Sequence, residues 1–214
     1  MIYSKGRKYL FVHAPKTGGT ALTLALEDRA MADDVIVGDT PKAKARHKRQ
    51  KSLQVAGRLW KHSTLRDIDG LITPEDLAQT FIVTLVRNPW DRAVSYYHWL
   101  REQDFAHPAV WQAKATTFER FITSDETLTS FRSHPFGAYV TDTNGAERCN
   151  AFVRLEHLAQ DLAPFEAHLG FGLDVPRANA SKRGGDYQPY FTRDSQNAIA
   201  QACAEDIARF GYSF

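Results

Sequence analysis

A short apolar run, Tyr9-Leu10-Phe11-Val12, ends in His13-Ala14-Pro15-Lys16-Thr17-Gly18-Gly19-Thr20-Ala21-Leu22, and the chain continues in an apolar-rich helical pattern. A buried strand, a glycine turn carrying lysine and threonines, and a helix over Thr20 to Ala30 make the layout of a phosphate cradle. N–H groups at a helix start have no intrahelical partner, and the aligned peptide dipoles add partial positive charge there. Lys16 supplies a full charge, and the hydroxyls of Thr17 and Thr20 are further donors. The loop is not the nucleotide-hydrolase one, G-x-x-x-x-G-K-[ST], because its lysine precedes the glycine pair, and G-x-G-x-x-G is missing too. The competing reading is a tight turn in which Gly18 and Gly19 only accept unusual dihedrals.

A second run, Thr80-Phe81-Ile82-Val83-Thr84-Leu85-Val86, is β-branched and almost wholly apolar, as a central parallel strand requires. Before it, Thr73-Pro74-Glu75-Asp76 combines a cap, a proline at the first helical position and acids in the first turn, so a short helix is expected. After it, Arg87-Asn88-Pro89-Trp90-Asp91-Arg92 turns the chain into a helix reaching at least Arg101, with Ser95 one turn beyond Asp91. Further along come a helical piece at Thr117 to Thr123, a brief strand at Ala151 to Arg154, and a helix from Leu155 to Leu169 closed by Gly170. A last helix opens at Thr192. Strands alternating with helices imply a parallel sheet whose ligands gather beyond the strands' carboxyl ends. If the two apolar strands are neighbours, Lys16 and Arg87 converge on one crevice with Ser95, and the ligand is elongated with phosphate at both ends. The plainer alternative is an ordinary ion pair between Arg87 and Asp91.

The 214 residues show no repeat and no linker, so a single domain over 1–214 is expected. Lys plus Arg total 27 against 25 Asp plus Glu, a net charge of +2 that gives no case for nucleic acid. The positive charge is uneven: Pro41 to Lys51 holds six Lys or Arg and no acid. Residues 31–54 therefore read as a basic surface insertion or mobile segment, either plainly solvated or drawing an anionic acceptor toward a cleft. The only cysteines, Cys149 and Cys203, have no disulfide or metal-ligand spacing, and Cys203 suits a small core position. A reducing, cytoplasmic setting is expected, with neither a signal peptide nor a run long enough to span a bilayer.

Two segments together resemble a known family. Pro15-Lys16-Thr17-Gly18-Gly19-Thr20 is similar to the 5′-phosphosulfate loop of sulfotransferases that use 3′-phosphoadenosine 5′-phosphosulfate (PAPS). The stretch from Val86 to Tyr97 resembles their 3′-phosphate segment. Phe152 to Leu158, Asn179 to Arg183, Tyr190 to Thr192 and Asp206 to Tyr212 extend the likeness, with Met31 to Gln54 matching least. The form with two glycines and threonine resembles the carbohydrate-type branch, and the absence of a membrane anchor its soluble bacterial relatives. The resemblance implies an α/β, P-loop-like three-layer fold with a central parallel sheet flanked by helices. It implies that Lys16 contacts the bridging and sulfuryl oxygens while Thr17, Gly18, Gly19 and Thr20 wrap the 5′-phosphate. Arg87 and Ser95 grip the 3′-phosphate, and Ser181 with Lys182 or Arg183 closes over the nucleotide. Trp90 and Tyr96 or Tyr97 are large enough to line an adenine pocket.

The implied reaction moves a sulfuryl group in line from PAPS to an acceptor hydroxyl, on a saccharide or glycan, leaving adenosine 3′,5′-bisphosphate and requiring no metal. Charge grows on the departing oxygen, and a placed ammonium stabilises it more than the ground state; Lys16, a compact charge on a flexible stem, suits this. A hydroxyl acceptor benefits from a base near neutrality. Among eight histidines, His62 in Trp60-Lys61-His62-Ser63-Thr64 lies where carbohydrate-type members often place theirs. His13 is read as ordering the loop and His98 as structural, while Glu27 and Glu102 have less context. Arg154 and Glu156 are expected to order the core through ion pairs. The rivals are a small metabolite, phenolic or lipid-like acceptor, suited by Trp99, Phe105 and Trp111, and a nucleotide-binding protein without transfer activity.

Overall fold

The computed structural model describes residues 1–176 and 186–214. In chain order the elements are β1 (Ile2–Ser4), β2 (Tyr9–Val12), α1 (Gly19–Asp28), β3 (Val35–Ile36), α2 (Pro41–Gln50), α3 (Pro74–Ala78), β4 (Phe81–Val86) and α4 (Pro89–Arg101). There follow α5 (Pro108–Ala115), α6 (Phe118–Ile122), α7 (Asp125–Ser133), α8 (Phe136–Tyr139), β5 (Ala151–Arg154), α9 (Leu158–Leu169), α10 (Arg193–Ala202) and α11 (Ala204–Phe210). The described residues form two compact units, one of 1–86 with 136–176 and one of 87–135 with 186–214. No helix among them is long and apolar enough to cross a membrane.

The first unit carries the sheet, in the order β3-β1-β2-β4-β5. The apolar strands β2 and β4 are parallel neighbours, with Leu10 opposite Ile82 and Val12 opposite Thr84, and β5 continues the parallel set beside β4. The expected parallel sheet is thus the three strands β2, β4 and β5 on one side, and β1 and β3 continue the sheet beyond β2 in antiparallel register. Tyr9, Phe11, Val83, Leu85 and Val153 form one face and cluster with Leu22 and Leu26 of α1 and Leu162 and Phe165 of α9. The alternate residues Leu10, Val12, Ile82 and Val86 are buried as well. Both faces of these strands are therefore dry, which is why their sequences are apolar runs rather than alternations. At the end of β2 the Thr84 hydroxyl donates to the Val12 carbonyl across 2.8 Å, so a buried polar pair is satisfied.

Residues 31–54 are more structured than their charge implies. They contain β3, with Ile36 and Val37 buried, and α2, opened by Pro41 and capped by the Thr40 hydroxyl on the Ala43 N–H. Two-residue strands such as β3 carry no periodic signal; this one exists because β1 offers it an edge.

The second unit is helical. Along α4, Trp90, Ala93, Val94, Tyr97 and Leu100 recur at helical spacing and pack with Val110 and Ala113 of α5, Phe118, Phe121 and Ile122 of α6, Phe131 of α7, Ile199 and Ala202 of α10, and Cys203 just after it. Burial pushes the Cys203 thiol up to about 12, as befits a core residue. The Trp90 indole N–H donates to the Gln196 carbonyl at 3.0 Å, and the Tyr97 hydroxyl to the Thr116 carbonyl at 2.9 Å. Both side chains are only 4% exposed, which corrects their expected place in an adenine wall: they form the centre of this core.

Candidate active site

After β2 the chain makes a turn with positive φ at Lys16 (64°) and Gly18 (81°). A lysine in the left-handed region stores strain of order 1 kcal/mol, held here by the surrounding packing. Two contacts make the glycines necessary. A Cβ on Gly18 would stand 2.7 Å from a methyl of Leu155, and one on Gly19 would clash with Cδ2 and Nε2 of the His13 ring. Gly18 caps α1 without a side chain, and the first turn of α1 holds no acid. By contrast α2, α3, α4, α5, α6, α7 and α10 each begin with a side chain accepting backbone N–H bonds. The start of α1, behind Lys16, is suited to an anion.

The two threonines differ. Thr17 is fully buried and its hydroxyl donates to the Ala14 carbonyl at 2.8 Å. The Thr17 hydroxyl therefore staples the loop, in place of the expected direct donation to a ligand. Thr20 sits half-buried in the first turn of α1 and its hydroxyl makes no hydrogen bond among the described residues.

His13 and His62 adjoin this turn. The His13 ring stacks on Phe11 and meets His62 edge-on, with centroids 4.7 Å apart. Nδ1 of His62 lies 2.7 Å from the His13 carbonyl oxygen. A carbonyl only accepts, so Nδ1 carries the proton and Nε2 keeps its lone pair, the tautomer a base needs. Burial lowers the His62 pKa to about 4 and holds His13 well below the ordinary histidine value, so both rings are neutral at pH 7. Trp60, 37% exposed, stands edge-on to His62 at 5.0 Å with the Arg58 guanidinium 4.9 Å from its ring centre. Lys61 pairs with Asp39. Glu27 is buried and accepts from the Thr40 hydroxyl, which places it in the structure of α1 rather than in proton transfer.

Two contributions escaped the sequence reading. Leu155 roofs Gly18 from the segment taken as ionic core, and the His13 main chain orients His62 across a separation that only the fold closes. The ionic role of Arg154 is met by Asp161, with Nε at 2.7 Å and Nη2 at 3.0 Å from its two oxygens.

In the helical unit, Arg87 follows β4 directly and pairs with Asp91, Nη2 at 2.7 Å and Nε at 2.8 Å from the same oxygen. The plainer alternative is therefore present; it also holds the guanidinium in one orientation. Asn88 closes the start of α4, its side-chain oxygen accepting from the Trp90 and Asp91 N–H groups while its amide donates to the Ser213 carbonyl at 2.9 Å. Ser95 is buried two turns into α4. Ser181, Lys182 and Arg183 lie outside the described residues. His98 packs edge-on against Tyr190, and His107 caps α5, which fits structural roles.

Comparison with known proteins gives the class. The family model described as Sulfotransferase domain matches residues 10–164, well over half of the chain, and the protein belongs to that family. Among solved structures, mouse sulfotransferase SULT7A1 complexed with PAP matches with a TM-score of 0.53 and 16% identity, covering 94% of this chain and 85% of that one. At that identity the likeness shows the fold, a P-loop-like α/β arrangement with a central sheet flanked by helices. No curated protein matches the sequence.

Proposed function

We propose that the protein transfers the sulfuryl group of PAPS to a hydroxyl of a saccharide or glycan, releasing adenosine 3′,5′-bisphosphate. The observation that carries this reading is the uncapped start of α1 behind Lys16, with a neutral His62 of defined tautomer in the same unit. The family supports sulfuryl transfer, and the mouse enzyme's complex with PAP supports the donor. Two glycines that admit no side chain, and no acid in the first turn of α1, fit a bound phosphosulfate.

In this reading the loop from Lys16 to Thr20 holds the 5′ end through backbone N–H groups and the Thr20 hydroxyl. Arg87 and Ser95 hold the 3′-phosphate, and Ser181 with Lys182 or Arg183 covers the nucleotide. As the acceptor oxygen bonds to sulfur, the bond from sulfur to the 5′-phosphate oxygen breaks. The acceptor's proton passes to Nε2 of His62, and the Lys16 ammonium stabilises the charge left on the departing oxygen. The donor's negative charge counteracts the burial that disfavours an imidazolium. The saccharide assignment draws on the two-glycine loop and on Trp60, an exposed ring beside His62 able to stack on a sugar. A small apolar or phenolic acceptor is the second reading, favoured by exposed Phe105 and Trp111 (48% and 60%).

Transfer of labelled sulfate from PAPS to a panel of saccharide, phenolic, alcohol and amine acceptors tests the proposal. Label on a saccharide hydroxyl supports it. Label only on phenols moves the assignment to the second reading, and none on any acceptor refutes transfer.

A further inference from the structure

The basic helix α2 has two cationic faces with different fates. On one face Lys42, Arg46, Arg49 and Gln50 all donate to backbone carbonyls: Lys42 to Glu27, Arg46 to Asp34 at 2.7 Å, Arg49 to Ala32 at 2.8 Å, and Gln50 to Ile36. These carbonyls lie in or next to α1 and β3, so half of the charge that reads as solvated surface is the clamp holding α2 down. At 100° per residue, Lys44, His47, Lys48 and Lys51 fall on the opposite face, at i, i+3, i+4 and i+7. All four are exposed, and none closes an ion pair or donates a side-chain hydrogen bond among the described residues. The stripe is about 10 Å long and has no acid along it. A flexible basic loop averages its charge over many conformations. This one is fixed by its other face.

The stripe is also tied to the candidate site. Thr40, which caps α2, bonds through its hydroxyl to Glu27 of α1, and the preceding Asp39 pairs with Lys61, next to His62. Gly38 lies against Lys61, whose Cβ is 3.9 Å from where a Gly38 Cβ would stand. Through Asp39 and Thr40 the start of α2 is thus joined to the segment that carries Trp60 and His62.

We infer that the solvent face of α2 docks an acidic saccharide chain, holding its carboxylate or sulfate groups on Lys44, His47, Lys48 and Lys51. The inference rests on the saccharide reading above and names the charge of the acceptor. An acidic chain of pyranose rings carries its charges at intervals comparable with one helical turn, about 5.4 Å. Two other polyanions fit less well. A membrane surface calls for large apolar side chains beside the cations, and the other exposed positions between these lysines hold Ala45 and Arg49. Nucleic acid calls for a broader basic surface than a chain of net charge +2 supplies.

The test compares the parent protein, Lys44→Glu/Lys48→Glu, and Arg120→Glu/Arg132→Glu, which removes the same charge at exposed arginines of the helical unit. Fluorescent oligogalacturonate is titrated against size-matched neutral dextran, duplex DNA and phosphatidylserine vesicles, at two salt concentrations. Adenosine 3′,5′-bisphosphate binding and melting temperature are measured on each protein. The expected result is oligogalacturonate binding at least about tenfold tighter than dextran, weakened by salt, and lost by roughly tenfold in the α2 variant alone, with melting unchanged. Equal losses in both variants, no loss in either, or tighter binding of DNA or vesicles through the same lysines overturns the inference. Bisphosphate binding reports on the nucleotide reading by itself: its absence in the parent refutes the donor assignment and leaves the saccharide result to be judged on its own.

Discussion

The sheet unit and the helical unit each receive the chain from a buried apolar strand and turn it into a helix, yet they finish the turn in opposite ways. After β2, the turn sets two residues at positive φ, caps α1 with glycine and leaves its first turn without an acid. After β4, Asn88 caps α4 with its side chain, Pro89 occupies the first helical position and Asp91 lies in the first turn. The first helix start is open to an anion through its backbone; the second is already neutralised by its own side chains. The function proposed above accordingly assigns the 5′ end of the nucleotide to main chain plus lysine and its 3′-phosphate to arginine plus hydroxyl.

That contrast breaks most readily at Lys16. Lys16→Ala is expected to lower kcat by about two to three orders of magnitude, on the scale of a lost oxyanion donor, with bisphosphate affinity partly kept. Unchanged turnover of labelled sulfate removes Lys16 from the chemistry. Gly19→Ala comes next. Its Cβ meets the buried His13 ring, so the melting curve should report about 2 kcal/mol of destabilisation, and a neutral result means the cradle is looser than its packing.

His62 sharpens the comparison through pH. Its folded pKa, lowered by burial to about 4, lies below the ordinary histidine value, so the unfolded chain binds the extra proton between the two. Stability from this group therefore rises with pH through that window and falls on acidification from about 6.5 to 4, by about 3 kcal/mol. His13 acts in the same direction. The acid limb of kcat/KM should likewise fall below about pH 5 rather than near 6.5. His62→Ala should lower the rate and remove that limb; an unchanged rate and profile exclude the base role. The smallest effect is expected at the closed helix start. Asn88→Ala should cost about 1 kcal/mol in denaturant unfolding and leave anion affinity near the parent's, because the Asn88 side chain is engaged in capping α4 and in bonding the Ser213 carbonyl. A large loss of affinity makes the two helix starts functionally alike and erases the contrast.

The parts of this arrangement that read directly from the sequence are those with local causes. β2 and β4 are apolar runs, Gly170 closes α9 at φ 76°, and Thr192 opens α10 with a reciprocal hydrogen bond to Ser195. The starts of α5 and α7 had local signals as well, His107-Pro108 and Ser124-Asp125-Glu126, that went unread. β1 and β3 are too short to carry a period; β1 depends on the edge of β2, and β3 on that of β1. The Thr17 hydroxyl could have pointed to ligand or loop, and only the position of the Ala14 carbonyl decides it. The tautomer of His62 depends on a carbonyl 49 positions away in the chain. The charge of α2 was visible, but its division into a clamp and a stripe needed β3 and the carbonyls of residues 27–36 in place.

The most direct test is calorimetric titration of adenosine 3′,5′-bisphosphate and of adenosine 5′-monophosphate into the parent and Arg87→Ala. The account predicts that the parent prefers the bisphosphate and that Arg87→Ala weakens it by about tenfold or more while changing the monophosphate little, the loss of one charge-assisted phosphate contact. Equal losses for both nucleotides, or none for either, contradict a 3′-phosphate grip at Arg87 and leave the cradle at Lys16 without its proposed counterpart.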